Sequence, residues 1–405
     1  MSYTLISLIG TGMYKDGYRQ TNYVFPDGKS ITTHIFLKAL LEARYRKISK
    51  IILVGTVTSG WDMLIDVDDD LWVTVCEAKE KREISDGLIK KVELYLSEKL
   101  NIPVVIKYHT DKIDNSSTPE IFDLYSSIIP EINDENILFD ITHSFRSMPV
   151  LLYQALQFSA SQNSKIKNIE IVYGEYIEKE KLSYVRDLSS YWKYSQISDA
   201  LYVFSQKLDG FRLADLIQDE WESGSKAIRR LSEIVQTDFC LQIAEVAAQI
   251  RNSIKKYPEN APEWLGKVRD VLLKILKVVG NENKKMSECL FDFSKLLYER
   301  KLNVQAVICL QVTVEAKICE NVGHCEEIGN YNWWQDNGKK ALNKIKSGNW
   351  KDIGNPLTNL EHFRNQIAHG GAKMSNGSFP HAANIPSIYE SGLRGVENLF
   401  KELPE

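Results

Sequence analysis

Residues 137–150 read ILFDITHSFRSMPV, and this stretch joins an apolar run, a small polar turn and the start of a helix. The run at 137–141 is short and almost entirely apolar, as in a strand that is buried on both faces. Residues 148–161 have the apolar spacing of a helix. The stretch therefore predicts one strand–helix unit of an α/β sheet whose strand ends in the turn Thr142-His143-Ser144.

Similar units surround this stretch on both sides. Further apolar runs at 3–9, 51–54, 104–108 and 169–173 predict strands, and helical spacing occurs at 32–46, 86–100 and 119–129. A hairpin turn is predicted around Pro26-Asp27-Gly28. Strands without a polar face require helices on both sides, so we expect a mostly parallel sheet in an α/β domain.

From about residue 187 the pattern is helical only, with segments at 195–208, 221–235, 239–254, 261–279 and 291–319. Residues 281–285 (NENKK) are expected to form an exposed joint. A chain of 405 residues is too long for one ordinary core. We therefore predict an α/β domain at 1–186, a helical connector at 187–285 and an all-α domain at 286–405.

The composition is that of a globular protein, with 43% hydrophobic residues and a net charge of −4. This charge excludes a generally basic protein that coats nucleic acid, but it leaves a local basic patch open. No apolar run approaches the length of a membrane span, and the N-terminus is expected to be a strand rather than a signal peptide. The six scattered cysteines lack a CxxC pair, so we expect reduced thiols in a cytoplasmic protein and no metal.

Three small polar turns follow predicted strands: Gly10-Thr11-Gly12, residues 55–60 (GTVTSG) and residues 142–146 (THSFR). Ligands of open α/β sheets bind beyond the carboxyl ends of the strands. Backbone N–H groups and hydroxyls at such turns are suited to anions. The sequence therefore predicts an anion-binding edge.

Residues 355–371 (NPLTNLEHFRNQIAHGG) predict a well-delimited helix that carries Arg364, Asn365 and His369 near its end. Arg364 and His369 lie about 140° apart on an ideal helix. They converge only if the helix end distorts, or if two copies face each other across a dimer axis. A histidine and an arginine suffice for metal-independent RNA cleavage. An ordinary solvated helix end is the other interpretation.

Two resemblances bear on these alternatives. Residues 364–369 (RNQIAH) resemble the R-x4–6-H motif of HEPN ribonucleases, and Glu315 in the preceding long helix resembles an acidic position of that family. The SLIGTG opening and DITHSFRSMPV resemble the Rossmann-like CARF domains of CRISPR-associated CARF–HEPN ribonucleases, the ancillary effectors of type III systems. Ser144 stands where that family usually has glycine.

The resemblance implies a homodimer that senses cyclic oligoadenylate through its α/β domain and cuts single-stranded RNA with its HEPN domain. We expect a ring of four adenylates rather than six. The implied catalytic residues are Arg364, Asn365 and His369. The implied ligand-binding residues are Gly10, Thr11, Gly12, Thr58, Ser59, Thr142, His143, Ser144 and Arg146.

Several alternatives remain open. The protein is instead a non-catalytic nucleotide sensor if its helical domain only binds a partner or RNA. The sensor domain itself is a third candidate for slow cleavage of the ligand, with Thr142 or His143 assisting. Trp61 either stacks on an adenine or packs at a dimer interface.

Overall fold

A computed structural model describes residues 1–11, 13–14, 17–18, 20–67, 69–111, 114, 116–132, 134–162, 165–280, 283–371 and 382–403. The chain divides into two compact units, Met1–Ser195 and Gln196–Glu405. The first unit is α/β and the second consists of helices, which confirms the predicted fold class. No helix in the described ranges is long and apolar enough to cross a membrane.

The N-terminal unit is built on an eight-stranded mixed sheet with the order β5-β4-β10-β9-β8-β1-β6-β7. The five strands from β9 to β7 are mutually parallel. The sheet strands are β1 (Tyr3–Leu8), β4 (Thr21–Val24), β5 (Ser30–Thr33), β6 (Ile48–Thr56), β7 (Val104–His109), β8 (Asn136–Asp140), β9 (Asn168–Ile177) and β10 (Leu182–Asp187). Two short strands, β2 (Met13–Tyr14) and β3 (Gly17–Tyr18), form a separate hairpin.

Alternate residues of the central strands enter two different cores. Leu5 and Leu53 belong to the cluster on one face of the sheet, whereas Ile6 and Ile52 belong to the cluster on the other. Every residue of β1 is buried, as its apolar sequence predicts. The covering helices are α1 (Phe36–Glu42), α2 (Asp70–Lys81), α3 (Asp86–Leu100), α4 (Thr118–Ser126) and α5 (Ser147–Gln162).

Three details of this unit differ from the prediction. The helix predicted at 32–46 is only α1, because β5 extends to Thr33 and the chain enters the helix at Ile35. Helix α2 was not predicted. The strand at 169–173 was wrongly taken as the last one, since β9 continues to Ile177 and β10 returns antiparallel to it. The hairpin around Pro26 is confirmed by the pairing of β4 with β5.

The helical unit has one hydrophobic core, which includes residues from Ile197 to Leu399. Its helices are α6 (Ser190–Lys207, which begins in the first unit), α7 (Phe211–Ile217), α8 (Glu222–Thr237), α9 (Ile243–Lys255), α10 (Glu263–Val279), α11 (Met286–Glu299), α12 (Asn303–Asn321), α13 (Tyr331–Trp333), α14 (Lys339–Gly348), α15 (Asn355–Ala368) and α16 (Ile385–Glu402). The predicted division of the helical region into a connector at 187–285 and a separate domain at 286–405 stays a prediction.

The helix predicted at 291–319 is wrong, because the structure has two helices there. Lys301 adopts a left-handed conformation with φ of 59°, and this reverses the chain between α11 and α12. The two helices form a hairpin in which the Cys309 thiol donates to the Leu290 carbonyl. The helix predicted from Asn355 is confirmed as α15, and a π-helical turn, Trp350–Gly354, leads into it.

Candidate functional sites

The three predicted loops meet at the carboxyl ends of β1, β6 and β8. The Gly60 N–H donates to the Gly10 carbonyl over 2.8 Å, which joins the first loop to the second. A Cβ on Gly10 would lie 3.2 Å from the carbonyl carbon of His143 and 3.4 Å from the backbone nitrogen of Ser144. A glycine at position 10 therefore lets the first and third loops pack closely.

A cavity of about 360 Å³, here called the N-terminal pocket, opens at this edge. Five of the predicted ligand-binding residues line it: Gly10, Thr11, Thr142, His143 and Ser144. The prediction missed the rest of the lining, which comes from the hairpin side of the sheet and neighbouring loops: Thr21, Tyr23, His34, Met63, Phe145, Tyr173, Gly174, Tyr176 and Ser183. Three tyrosines and several hydroxyls thus surround the pocket, a lining suited to a ligand with aromatic bases and polar groups.

Two hydroxyls of the third loop have different roles. The Thr142 N–H donates to Asp140 over 2.8 Å, and the Thr142 hydroxyl oxygen accepts from the Gly174 N–H over 2.9 Å. The Thr142 hydroxyl therefore ties the loop to β9. The Ser144 hydroxyl is buried and has no hydrogen-bond partner within the described part of the chain. A buried hydroxyl without a partner, beside the pocket, is a candidate hydrogen-bonding group for a bound ligand.

His143 is held from two sides at the floor of the pocket. Its Nε2 lies 3.1 Å from the Tyr23 hydroxyl and 3.2 Å from the Phe36 N–H. Since a backbone N–H can only donate, Nε2 carries no proton, and the neutral ring has its hydrogen on Nδ1. Burial lowers the pKa of His143, and the charge of the nearby Asp140 opposes this effect. The Nε2 lone pair is thus engaged within the protein.

Asp140 lies below this loop and is fully buried. Burial raises the pKa of its carboxyl, while His143 and the hydrogen bond that it accepts from the Ser7 hydroxyl, over 2.6 Å, act in the opposite direction. Asp140 therefore connects β1, β8 and the third loop, and it helps to fix the floor of the pocket.

The second loop contributes little to the N-terminal pocket. The Ser59 hydroxyl donates to the Ile9 carbonyl over 2.5 Å and accepts from the Thr56 N–H, so it braces the loop. The Thr58 hydroxyl donates to Asp111 over 2.6 Å. Thr58 lines a different cavity of about 330 Å³, which also includes Thr11.

Three other residues that the sequence suggested for ligand binding are not among the described residues that line the N-terminal pocket. Trp61 is fully buried and its Nε1–H donates to the Thr56 carbonyl, so its ring is available neither for adenine stacking nor for a dimer interface. This overturns both interpretations of Trp61. Arg146 is exposed and does not line the pocket. Gly12 lies outside the described residues.

A second cavity, of about 550 Å³, lies in the helical unit and is here called the C-terminal cavity. Three predicted catalytic residues, Arg364, Asn365 and His369, line it together with Glu361 of the same helix. Helix α12 contributes Glu315, the chain between α12 and α14 contributes residues between Glu327 and Gln335, and α14 contributes Lys339. The structure therefore brings the α15 residues and Glu315 to one cavity.

The end of α15 places His369 just beyond the last turn of the helix. His369 is the first residue beyond the helix, and its N–H donates to the Asn365 carbonyl over 3.1 Å. Gly370 and Gly371 follow with φ of 66° and 77°, so the chain turns sharply. The Arg364 guanidinium donates to the Asn365 side chain over 3.1 Å. Both side chains line one cavity within a single chain, and whether two copies of the helix also face each other stays a prediction.

Glu315 faces this group from α12. Burial raises the pKa of its carboxyl, whereas a hydrogen bond from Gln311 and the positive charge of Arg364 oppose the rise. The Gln311 side chain donates to Glu315 over 3.4 Å. Arg364 therefore has a half-buried carboxyl close enough to act on it electrostatically, which can orient the guanidinium. Among the described residues, no group of three His, Cys, Asp or Glu side chains is placed to bind a metal ion.

Comparison with known proteins finds two similarities, one of the N-terminal unit and one of nearly the whole chain. Residues 4–178 match the model described as "CRISPR system endoribonuclease Csx1, CARF domain". The chain is 25% identical to CRISPR-associated protein MJ1674 of Methanocaldococcus jannaschii over 98% of its own length. It spans 66% of the length of that relative. Both matches agree with the family to which the sequence motifs point.

Proposed function

We propose that this chain, whose residues 4–178 match a CARF-domain model, is a CRISPR-associated endoribonuclease activated by cyclic oligoadenylate. CARF domains generally bind such ligands. In this proposal the ligand, with four adenylates rather than six, occupies the N-terminal pocket, and the helical unit is a HEPN domain that cuts single-stranded RNA. The protein acts in the cytoplasm in type III CRISPR defence.

The single observation that carries the catalytic part is the convergence of Arg364, Asn365 and His369 on one cavity. An imidazole can both accept and donate a proton in general acid–base catalysis. His369 is exposed at the helix end. The chemistry of this pair requires no metal ion.

The proposed reaction is an internal transesterification. The ribose 2′-oxygen loses its proton and attacks the adjacent phosphorus, the bond from phosphorus to the 5′-oxygen breaks, and that oxygen gains a proton. The products are a 2′,3′-cyclic phosphate and a 5′-hydroxyl end. His369 transfers the protons, Arg364 stabilises the charge on the phosphoryl oxygens and Asn365 orients Arg364.

Two copies of the chain complete the proposed enzyme. The ligand binds across the two-fold axis of paired CARF domains, and the Arg364 and His369 side chains of both helical domains form the composite site. Ligand binding changes the geometry of this pair. A coupling of this kind requires that the ligand bind the active arrangement more tightly than the inactive one.

The test compares variants at Arg364 and His369 with a variant at a second histidine of α15. His369→Ala and Arg364→Ala should abolish cleavage of a fluorescent single-stranded RNA while leaving cyclic tetra-adenylate binding intact. His362→Ala is the matched control, because His362 is exposed on the same helix and does not line the cavity. Cleavage by His369→Ala at the wild-type rate would refute the site. Tight ligand binding without cleavage by the wild type would favour a non-catalytic sensor.

A further inference from the structure

An exposed tyrosine lies in the wall of the C-terminal cavity. Tyr331 is 73% exposed, and it lines the cavity together with Arg364 and His369. A ring that buries so little surface adds little to the core, so folding does not account for a tyrosine at this position. Exposed aromatic rings beside cationic groups are a common platform for unpaired bases.

The backbone that carries Tyr331 is firmly anchored. The Asn330 side chain accepts from the Trp333 N–H over 3.2 Å and donates to Glu327 over 2.6 Å. Trp334 is buried, and a Cβ on Gly338 would lie only 2.1 Å from its ring. The π-helical turn Trp334–Gly338 therefore packs tightly on Trp334. The ring of Tyr331 stands on a fixed support, which lowers the entropic cost of stacking.

A second cation lies in the same wall. Lys339 lines the cavity at the start of α14, and its charge, like that of Arg364, favours ionisation of Glu315. The acidic groups of the cavity have partners of their own. Glu361 pairs with the Lys346 ammonium over 3.3 Å, and Glu327 accepts from Asn330.

We propose that Tyr331 and Lys339 form the substrate-holding wall of this cavity. Tyr331 stacks on an unpaired base of single-stranded RNA, and Lys339 contacts a neighbouring phosphate, so that the strand lies against Arg364 and His369. Stacking of this kind needs a base that is free of a duplex, which selects single strands. The inference rests on the proposed function and adds the residues that position its substrate.

The first experiment measures binding without cleavage. A fluorescent single-stranded RNA whose 2′-hydroxyls are all methylated lacks the nucleophile, so its anisotropy reports binding alone, with and without cyclic tetra-adenylate. Tyr331→Ala should weaken binding by roughly 5- to 160-fold, the range found for the loss of one base–aromatic stack. Tyr331→Trp should keep the affinity. Tyr202→Ala, at a 69% exposed tyrosine outside the cavity, should bind like the wild type.

A spectroscopic signature separates stacking from a structural effect. An RNA that carries 2-aminopurine should lose fluorescence when the wild type binds, and Tyr331→Ala should remove this quenching even at saturating protein. Unchanged quenching and unchanged affinity in Tyr331→Ala would overturn the role of the tyrosine.

The role of Lys339 is tested by salt. Each phosphate contact to a single strand contributes about 0.7 to the slope of log affinity against log salt concentration. Lys339→Ala should reduce the slope by about this amount. Lys340→Ala, at the next residue, which is exposed and does not line the cavity, should leave it unchanged. Equal slopes in the two variants would refute the phosphate contact.

The outcome is distinguishable from a failure of the proposed function. If the wild type cuts RNA but Tyr331→Ala and Lys339→Ala bind RNA like the wild type, the proposed role of these two residues is refuted and the nuclease activity is not. If the wild type binds RNA through these residues without cutting it under any condition, the nuclease activity is refuted and the role of the two residues is not.

Discussion

Replacement of His143 by alanine should destabilise the N-terminal unit, because the ring is the acceptor for two buried groups. The Tyr23 hydroxyl and the Phe36 N–H both point to Nε2, at 3.1 and 3.2 Å, and both residues are at most 1% exposed. A buried donor that loses its acceptor costs about 1–3 kcal/mol. The loss of the acceptor for both donors therefore costs about 2–6 kcal/mol. Because the N-terminal pocket admits water to this region, we expect the lower part of that range, about 2–3 kcal/mol.

A loss of this size is easily measured by thermal unfolding. For a unit of 195 residues it corresponds to a fall in Tm of roughly 5–10 °C. Circular dichroism of the full chain follows the transition, and calorimetric titration with cyclic tetra-adenylate measures the affinity of the same samples. Tyr23→Phe is the control, since it removes one donor and leaves His143 bound to Phe36. It should cost only about 1 kcal/mol.

The reasoning is refuted if His143→Ala unfolds within 1–2 °C of the wild type, which would be less than about 1 kcal/mol. If such a stable variant also loses ligand affinity, His143 touches the ligand directly rather than bracing the loop.

Further predictions concern the same edge of the sheet. Burial lowers the pKa of His143 below its usual 6.5, so the unfolded chain takes up the proton first and the free energy of unfolding falls as the pH drops below 6.5. His143→Gln should lack this pH-dependent loss of stability when unfolding is measured between pH 5 and 8. A pH profile of stability identical to that of the wild type would contradict the prediction. Gly10→Ala should lower both Tm and ligand affinity, at a cost of about 1–3 kcal/mol, because its Cβ crowds the third loop. Gly87→Ala, where a Cβ meets nothing within 4 Å, is the control and should not lower Tm. Ser59→Ala should cost about 1–3 kcal/mol in denaturant unfolding, since the buried Thr56 N–H loses its acceptor; a loss below 0.5 kcal/mol would refute this bracing role.

The central strands could be predicted from the sequence because a strand that is buried on both faces is a short, continuous apolar run. Strands β1, β6 and β8 are apolar runs without alternation, and each ends in a small polar turn. Parallel strands bring these turns to one edge, so the meeting of the three loops followed from topology alone. The hairpin around Pro26 had an equally local signature.

Other features depend on tertiary structure that no local pattern encodes. Tyr173 and Tyr176 reach the N-terminal pocket only because β9 lies between β8 and β10, which the sequence does not reveal. The reversal at Lys301 lacks a proline or glycine, and Glu299, Arg300 and Lys301 are not helix breakers. Packing of α11 against α12 determines that turn. Trp61 was misjudged because the sequence does not show which loop residues are buried.

The C-terminal site was predicted in part. Arg364 and His369 are five positions apart, which is about 140° around an ideal helix, yet both line the cavity, with His369 just beyond the end of α15. Tyr331 and Lys339 lie more than 20 residues upstream and join them only through the fold of the helical unit. Sequence spacing holds no information on such a contact.

The most direct test of the central claim is cleavage of a fluorescent single-stranded RNA by the full chain in excess EDTA, with no ligand, with cyclic tetra-adenylate or with cyclic hexa-adenylate. We expect cleavage that appears with only one of the two rings, preferentially cyclic tetra-adenylate, and that leaves 2′,3′-cyclic phosphate ends. Absence of cleavage with either ring, in samples that bind the ligand tightly, would contradict it.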